Sequence, residues 1–323
     1  MGITSQRDHG GDIDRAIEQF GDTCWIDLST GINRASWPIR DFPPSVWRRL
    51  PTATALAGLN AVAAAWFRCD PAQVLAVAGA SAAIQLLPRI LPAGRAAVLT
   101  PSYNEHAASL RAAGWDVTPA ADLDAMRGAD LAVVVNPNNP DGREWSPDRL
   151  AGLAAQVGHL IVDESFADPR PDLSLIPTLP DNATVLRSFG KFWGLAGVRL
   201  GWAVGAPDLL ARMDDMAGPW AVSGPAIALG TAAMADLDWC DQTVLYHSEA
   251  SLLLDRLATA RGWQVVGGTH LFRLYDTPNA TTAQEMLAAS QIWTRRFPYS
   301  DHWLRMGVPS PDEWDRVIAA MTA

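Results

Sequence analysis

Short apolar runs alternate with helically spaced stretches through the first two thirds of this chain, and that alternation limits its fold more than any other feature. The run at 74–78 precedes a helical stretch at 81–91, and the run at 96–100 precedes one at 105–113. The run at 131–135 ends at Asn136-Pro137; a helical stretch at 147–157 leads into the run at 159–162, which ends in Asp163-Glu164. Further runs stand at 185–188 and 200–204. Uniformly apolar strands separated by helices predict an α/β fold, a mainly parallel central sheet covered by helices on both faces. Such sheets bind ligands beyond the carboxyl ends of their strands. From about residue 206 the pattern changes. Helices at 225–235 and 239–261 are followed by short strands near 270–275, 292–295 and 303–306, a helix at 281–290 and a closing helix at 309–323. This predicts a smaller α+β C-terminal domain. The expected organisation is an irregular N-terminal arm at 1–42, a large domain at 43–220 and a small domain at 221–323.

Composition excludes several classes. A net charge of -10 argues against nucleic acid or an anionic membrane as the main partner. No apolar run reaches the roughly 20 residues of a membrane span, and the polar stretch at 1–11 has no signal-peptide core. Cys24, Cys69 and Cys240 are far apart and odd in number, so a reducing cytoplasm is expected. No metal site is expected. The 14 tryptophans have no functional explanation in the sequence.

The candidate chemistry centres on Lys191, in Ser188-Phe189-Gly190-Lys191-Phe192-Trp193-Gly194-Leu195-Ala196-Gly197-Val198-Arg199. A lysine with so few charges around it sheds water, which weakens its hold on the proton and frees the amine as a nucleophile. Ser188 and Arg199 can both hold a phosphate. A covalent lysine between phosphate ligands suggests pyridoxal phosphate (PLP); a surface lysine in a glycine-rich turn is the plain alternative. Gly79-Ala80-Ser81-Ala82-Ala83 follows a strand and opens a helix, where small residues let backbone N–H groups approach a phosphate; it also suits an ordinary serine-capped turn. Asn136-Pro137-Asn138-Asn139-Pro140-Asp141-Gly142 is a rigid turn from which Asn139 could donate to a phenolate oxygen. Asp163 closes an apolar strand and requires a partner. A protonated pyridine nitrogen would serve. So would a metal or a helix cap, though no histidine lies nearby at ligand spacing. Tyr103, just after a strand, could stack on a ring or belong to the core.

Taken together and in this order, these motifs resemble the fold-type I PLP enzymes of the aspartate aminotransferase superfamily, over roughly residues 25–323. The resemblance implies that Lys191 carries the cofactor and later acts as general acid/base, that Asp163 pairs with the pyridine nitrogen and that Asn139 bonds the ring O3′. It implies that Ala80, Ser81, Ala82, Ser188 and Arg199 form the phosphate site and that Tyr103 stacks on the ring. Arg305 matches the arginine that takes the substrate α-carboxylate.

Within the superfamily the chain is similar to the histidinol-phosphate aminotransferase branch, and most of all to the threonine-phosphate decarboxylases of cobalamin biosynthesis. His9-Gly10-Gly11 and Asp27-Leu28-Ser29-Thr30-Gly31-Ile32-Asn33 resemble two segments that close over the substrate phosphate in that group, which brings His9, Gly31 and Asn33 into the expected site. Arg295 matches a second substrate arginine, with Arg296 beside it as an alternative. Leu50-Pro51-Thr52 replaces a Tyr-Pro-Asp segment that reaches a neighbouring subunit's cofactor, Phe166 replaces a tyrosine that donates to O3′, and Asp141 replaces a threonine. The resemblance implies PLP-dependent decarboxylation of L-threonine O-3-phosphate to (R)-1-aminopropan-2-ol O-2-phosphate by a cytoplasmic homodimer. The competing readings are an aminotransferase acting on histidinol phosphate or a related amino acid, and a non-catalytic binding protein that kept the fold.

Overall fold

The computed structural model describes residues 9–22 and 24–323. Residues 1–8 and Thr23 of the expected N-terminal arm lie outside the described residues. Two compact units emerge. One comprises the described residues up to Ser36 with Pro140–Gly142 and Gln242–Ala323; the other comprises Trp37–Asn139 and Arg143–Asp241. The strands in chain order are β1 (Ile26–Asp27), β2 (Val74–Val77), β3 (Arg95–Leu99), β4 (Asp116–Ala120), β5 (Leu131–Val135), β6 (His159–Asp163), β7 (Ala183–Ser188), β8 (Gly201–Val204), β9 (Gln264–Gly268), β10 (Phe272–Asp276), β11 (Ile292–Trp293), β12 (Arg295–Phe297) and β13 (Ser300–Gly307).

The larger unit is built on a sheet of order β2-β8-β7-β6-β5-β3-β4. All its neighbouring pairs are parallel except those of β8, which runs antiparallel to both β2 and β7. The remaining six strands therefore point their carboxyl ends to one edge, and β8 starts from that same edge. Every residue of β5 is buried, as a central strand covered on both faces requires. Leu75, Val77, Ile84, Leu87, Val98 and Leu186 belong to one core cluster. Full burial of a side chain such as Leu87 contributes about 1.5–3 kcal/mol. Tryptophans form much of a second layer. Trp193 stacks on Phe189 with centroids 4.9 Å apart and meets Trp66 at 5.6 Å, while Phe67 meets Trp202 at 5.6 Å.

In the smaller unit the antiparallel sheet β12-β13-β10-β9 and the parallel pair β1-β11 pack around Leu28, Leu254, Tyr275, Leu287, Leu304 and Met306. The stretch expected to be irregular contains a helix, Ile13–Phe20, capped by the Asp12 carboxylate accepting from the Arg15 N–H. The expected strand at 292–295 is broken at Thr294 into β11 and β12, which belong to different sheets.

Candidate active site

The shared strand edge of the larger unit gathers the expected cofactor residues. A cavity of about 610 Å³, open solvent at its mouth included, is lined by Ala80, Ser81, Tyr103, Asn139, Asp163, Ser188, Lys191 and Arg199, among others. Local backbone chemistry explains each placement. Gly79 caps the helix Ala80–Ile90 at φ +79°, with no side-chain cap on the first N–H groups. A helix start of this kind leaves donors and a partial positive charge for an anion. Gly201 must lack a side chain there, because a Cβ would come within 2.5 Å of the Ala80 nitrogen. Arg199, in left-handed backbone at φ 56°, brings its guanidinium against Gly79. Because β8 is reversed, Arg199 precedes its strand and still reaches the edge where the others end.

Ala82 does not join the lining. Its N–H donates to the Gly79 carbonyl at 2.9 Å, and its side chain packs against the core. The Asn turn is braced by its other two asparagines. Asn136 exchanges hydrogen bonds with the backbone of Trp145, and Asn138 Nδ2 donates to the Pro101 carbonyl while its Oδ1 accepts from Ser102 Oγ. Asn139 is left lining the cavity.

Asp163 is 3 % exposed. Its Oδ1 accepts from the Ser165 N–H at 3.0 Å and from Ser165 Oγ at 2.5 Å, and its Oδ2 lies 2.8 Å from His106 Nε2. Burial alone pushes this carboxyl up, but His106 and Ser165 outweigh it and hold Asp163 below the usual carboxylate range. An ionised, oriented acceptor results. His106 was not singled out in the sequence; its signal was its position three residues after Tyr103, in the first turn of the helix Asn104–Ala112. The two rings meet edge to face at 6.1 Å. Lys191 sits on the short helix Phe189–Phe192, and its Nζ lies over the Phe166 ring, 5.6 Å from the centroid. Phe166 therefore presents a hydrocarbon face to the amine. Burial pushes the Cys69 thiol up to about 11 and the Cys240 thiol up to about 12, so neither of these two competes as a nucleophile.

The smaller unit holds the expected substrate residues. Arg305 on β13 is 3 % exposed, donates to the Ser29 carbonyl at 2.6 Å and lies over the Phe272 ring. Its cross-strand partner is Arg295. The register thus sets two arginines directly across from each other on neighbouring strands. Arg296 turns elsewhere: its Nε donates to Gln284 Oε1 at 2.7 Å and its Nη1 to Thr281 Oγ1 at 2.5 Å. Gly10 packs so closely that a Cβ would lie 2.2 Å from the Ser29 oxygen and 3.3 Å from Arg305 Nη2. His9 beside it is exposed and Gly31 is buried. Asn33 is buried and its Oδ1 accepts from the Ala35 N–H, a local turn.

The larger unit's donor set fits PLP. Anion donors stand at Gly79–Ser81, Ser188 and Arg199, an ionised carboxylate at Asp163, an amide at Asn139 and an amine at Lys191. A match to the family described as aminotransferase class I and II spans residues 45–321. The chain belongs to that family. Among aminotransferase class I and II relatives, the threonine-phosphate decarboxylase of Sinorhizobium sp is 40% identical over 321 residues, covering 96% of this chain and 96% of the relative. The threonine-phosphate decarboxylase of Pseudomonas aeruginosa is 38% identical over 327 residues, 97% of each. The crystal structure of histidinol-phosphate aminotransferase from Sinorhizobium meliloti in complex with pyridoxal-5'-phosphate superposes with a TM-score of 0.83 at 20% identity, over 98% of this chain and 94% of that one. That likeness confirms the fold-type I architecture.

Proposed function

We propose that this protein is a PLP-dependent threonine-phosphate decarboxylase that converts L-threonine O-3-phosphate to (R)-1-aminopropan-2-ol O-2-phosphate and CO2, a step that would serve cobalamin biosynthesis. The observation that carries the reading is the end-to-end identity, about two residues in five, to two threonine-phosphate decarboxylases. The cavity residues support it.

PLP, when bound, withdraws electrons from the α-carbon of an amino acid, so that a bond there can break. The chain supplies the rest. The helix start at Gly79–Ser81, with Ser188 and Arg199, holds the phosphate. Asp163 accepts from the ring nitrogen, and His106 and Ser165 keep its carboxylate aimed. Asn139 donates to O3′, and Tyr103 covers the ring. Lys191 Nζ is the covalent anchor, and it delivers a proton to the substrate α-carbon after CO2 has left. Arg305 and Arg295 supply the two guanidinium groups that a substrate with a carboxylate and a phosphate requires; His9, Gly31 and Asn33 are assigned to the substrate phosphate.

The enzyme is assigned to the cytoplasm on its three free, widely spaced cysteines. It is assigned as a homodimer, supported by the exposed Ile39, Trp47, Leu50 and Trp220 of the larger unit. The deciding experiment gives the PLP-loaded protein L-threonine O-3-phosphate alone and follows CO2. Steady release, lost in Lys191→Ala, is expected. No CO2, together with amino transfer from histidinol phosphate to a keto acid, would make the protein an aminotransferase instead.

A further inference from the structure

A buried ion cluster adjoins the cavity residues in sequence but lines none of the cavity. Arg187 Nη1 donates to Glu164 Oε2 at 3.0 Å, and its Nη2 donates to Asp168 Oδ1. The same Asp168 oxygen accepts from Trp66 Nε1 at 3.1 Å. Glu164 also accepts from Ser174 Oγ and from the Leu175 N–H, both at 2.7 Å. The guanidinium lies over the Phe67 ring. The side chains of Arg187, Glu164 and Asp168 are 5 %, 0 % and 2 % exposed.

Two carboxyl groups share one guanidinium where water does not reach, and burial pushes the Glu164 carboxyl above the usual carboxylate range. Replacing such clusters by apolar residues is often neutral or stabilising, so stability is a weak reason to keep one. Geometry is a better reason. Glu164 directly follows Asp163, and Arg187 directly precedes Ser188. Glu164 and Asp168 bracket Ser165 and Phe166, both of which line the cavity, and Ser165 holds the Asp163 carboxylate. The cluster thus clamps the loop after β6 to the end of β7, one residue behind each of two groups assigned to the cofactor.

We propose that Glu164, Arg187 and Asp168 are positioning residues: through the loop after β6 and the end of β7 they set the aim of Asp163 and Ser188, and so govern PLP affinity and the protonation of lysine-bound PLP without touching it. The proposal rests on PLP binding as assigned above. Trp193, two residues from Lys191, makes tryptophan quenching a natural readout of PLP binding. Arg187→Met, Arg187→Lys and Asp168→Asn would be compared with the parent by quenching, by pH titration of the PLP absorbance band and by thermal unfolding of the apoprotein. Leu210→Ala serves as a core control away from the cavity. Arg187→Met is expected to weaken PLP binding about ten-fold or more and to move the midpoint of the absorbance titration. Arg187→Lys should recover part of both, and Leu210→Ala should lower stability with neither change. If Arg187→Met does not fold, Arg187→Lys and Asp168→Asn decide: unchanged affinity and midpoint in both would overturn the proposal. So would affinity in Arg187→Met that falls only as far as in Leu210→Ala. A parent protein that binds no PLP would instead sink the cofactor assignment.

Discussion

Replacing Gly79 by alanine tests the phosphate end of the site with one methyl group. The residue lies at φ +79°, and an added Cβ would come 2.9 Å from Arg199 Nη2 and 3.3 Å from its Cζ. A ψ of 155° puts Gly79 in a backbone region that is essentially glycine's alone, and holding alanine there costs about 1–3 kcal/mol. In the free enzyme the clash can relax, because Arg199 is exposed and can swing away. The apoprotein should therefore lose little beyond the backbone strain, roughly 2–4 °C in Tm per kcal/mol for a unit of this size. Binding a phosphate has to bring the guanidinium back against the methyl. If that restores a clash worth a further 1–2 kcal/mol, roughly, the affinity falls about 5- to 30-fold. The assay is PLP titration followed by tryptophan quenching. Gly197→Ala is the control: nothing lies within 4 Å of its added Cβ, and its backbone is not left-handed. Its affinity should stay within about two-fold of the parent. PLP binding by Gly79→Ala as tight as by Gly197→Ala would refute the assignment of this helix start and Arg199 to the phosphate.

Phe166→Tyr puts a hydroxyl on the ring beneath Lys191 Nζ; the absorbance titration midpoint of bound PLP should move to lower pH, and an unmoved midpoint would show that the phenol does not reach the cofactor. Arg305→Gln removes a charge-assisted pair worth about 1.5–3 kcal/mol, so the KM for L-threonine O-3-phosphate should rise ten-fold or more, roughly, while PLP affinity stays the same; a matching loss of PLP affinity would count against a substrate role. Burial, with His270 nearby, pushes His247 from 6.5 down to about 4. The unfolded chain takes up that proton below about 6.5 and the folded one only near 4, so this contribution is whole above pH 6.5 and shrinks by up to about 1.4 kcal/mol per pH unit on the way down. His247→Gln should flatten the acid limb of the Tm-against-pH curve over that window, and an unchanged limb would assign the acid loss to other groups.

Much of the site was legible because its residues lie where chain direction alone locates function. Tyr103, Asn139, Asp163 and Ser188 each end or follow an apolar run, and a mainly parallel sheet brings such ends together. What the sequence hid has physical reasons. β4 is an edge strand with Pro119 in it and only Ala120 buried, so it has no apolar run to reveal it. β9 is largely exposed. The helix Ala53–Phe67 is apolar around most of its circumference and carries little periodic signal. The reversal of β8 depends on sheet order, which local pattern does not encode. His106 and Arg187 escaped notice for a related reason: each acquires its meaning from a partner more than twenty residues away, Asp163 for the one and Glu164 for the other.

The reversal of β8 also turns the segment between Lys191 and Arg199 into a measuring tape. Surface loops usually accept an inserted or deleted residue at small cost. Here both ends of the loop are pinned to one pocket, the amine by the end of β7 and the guanidinium by the start of β8. Gly190 already packs so tightly on Ala196 that a Cβ would lie 2.7 Å from its Cα. Lengthening or shortening this stretch by one residue would throw one end out of register, so its length is as much a part of the active site as its side chains.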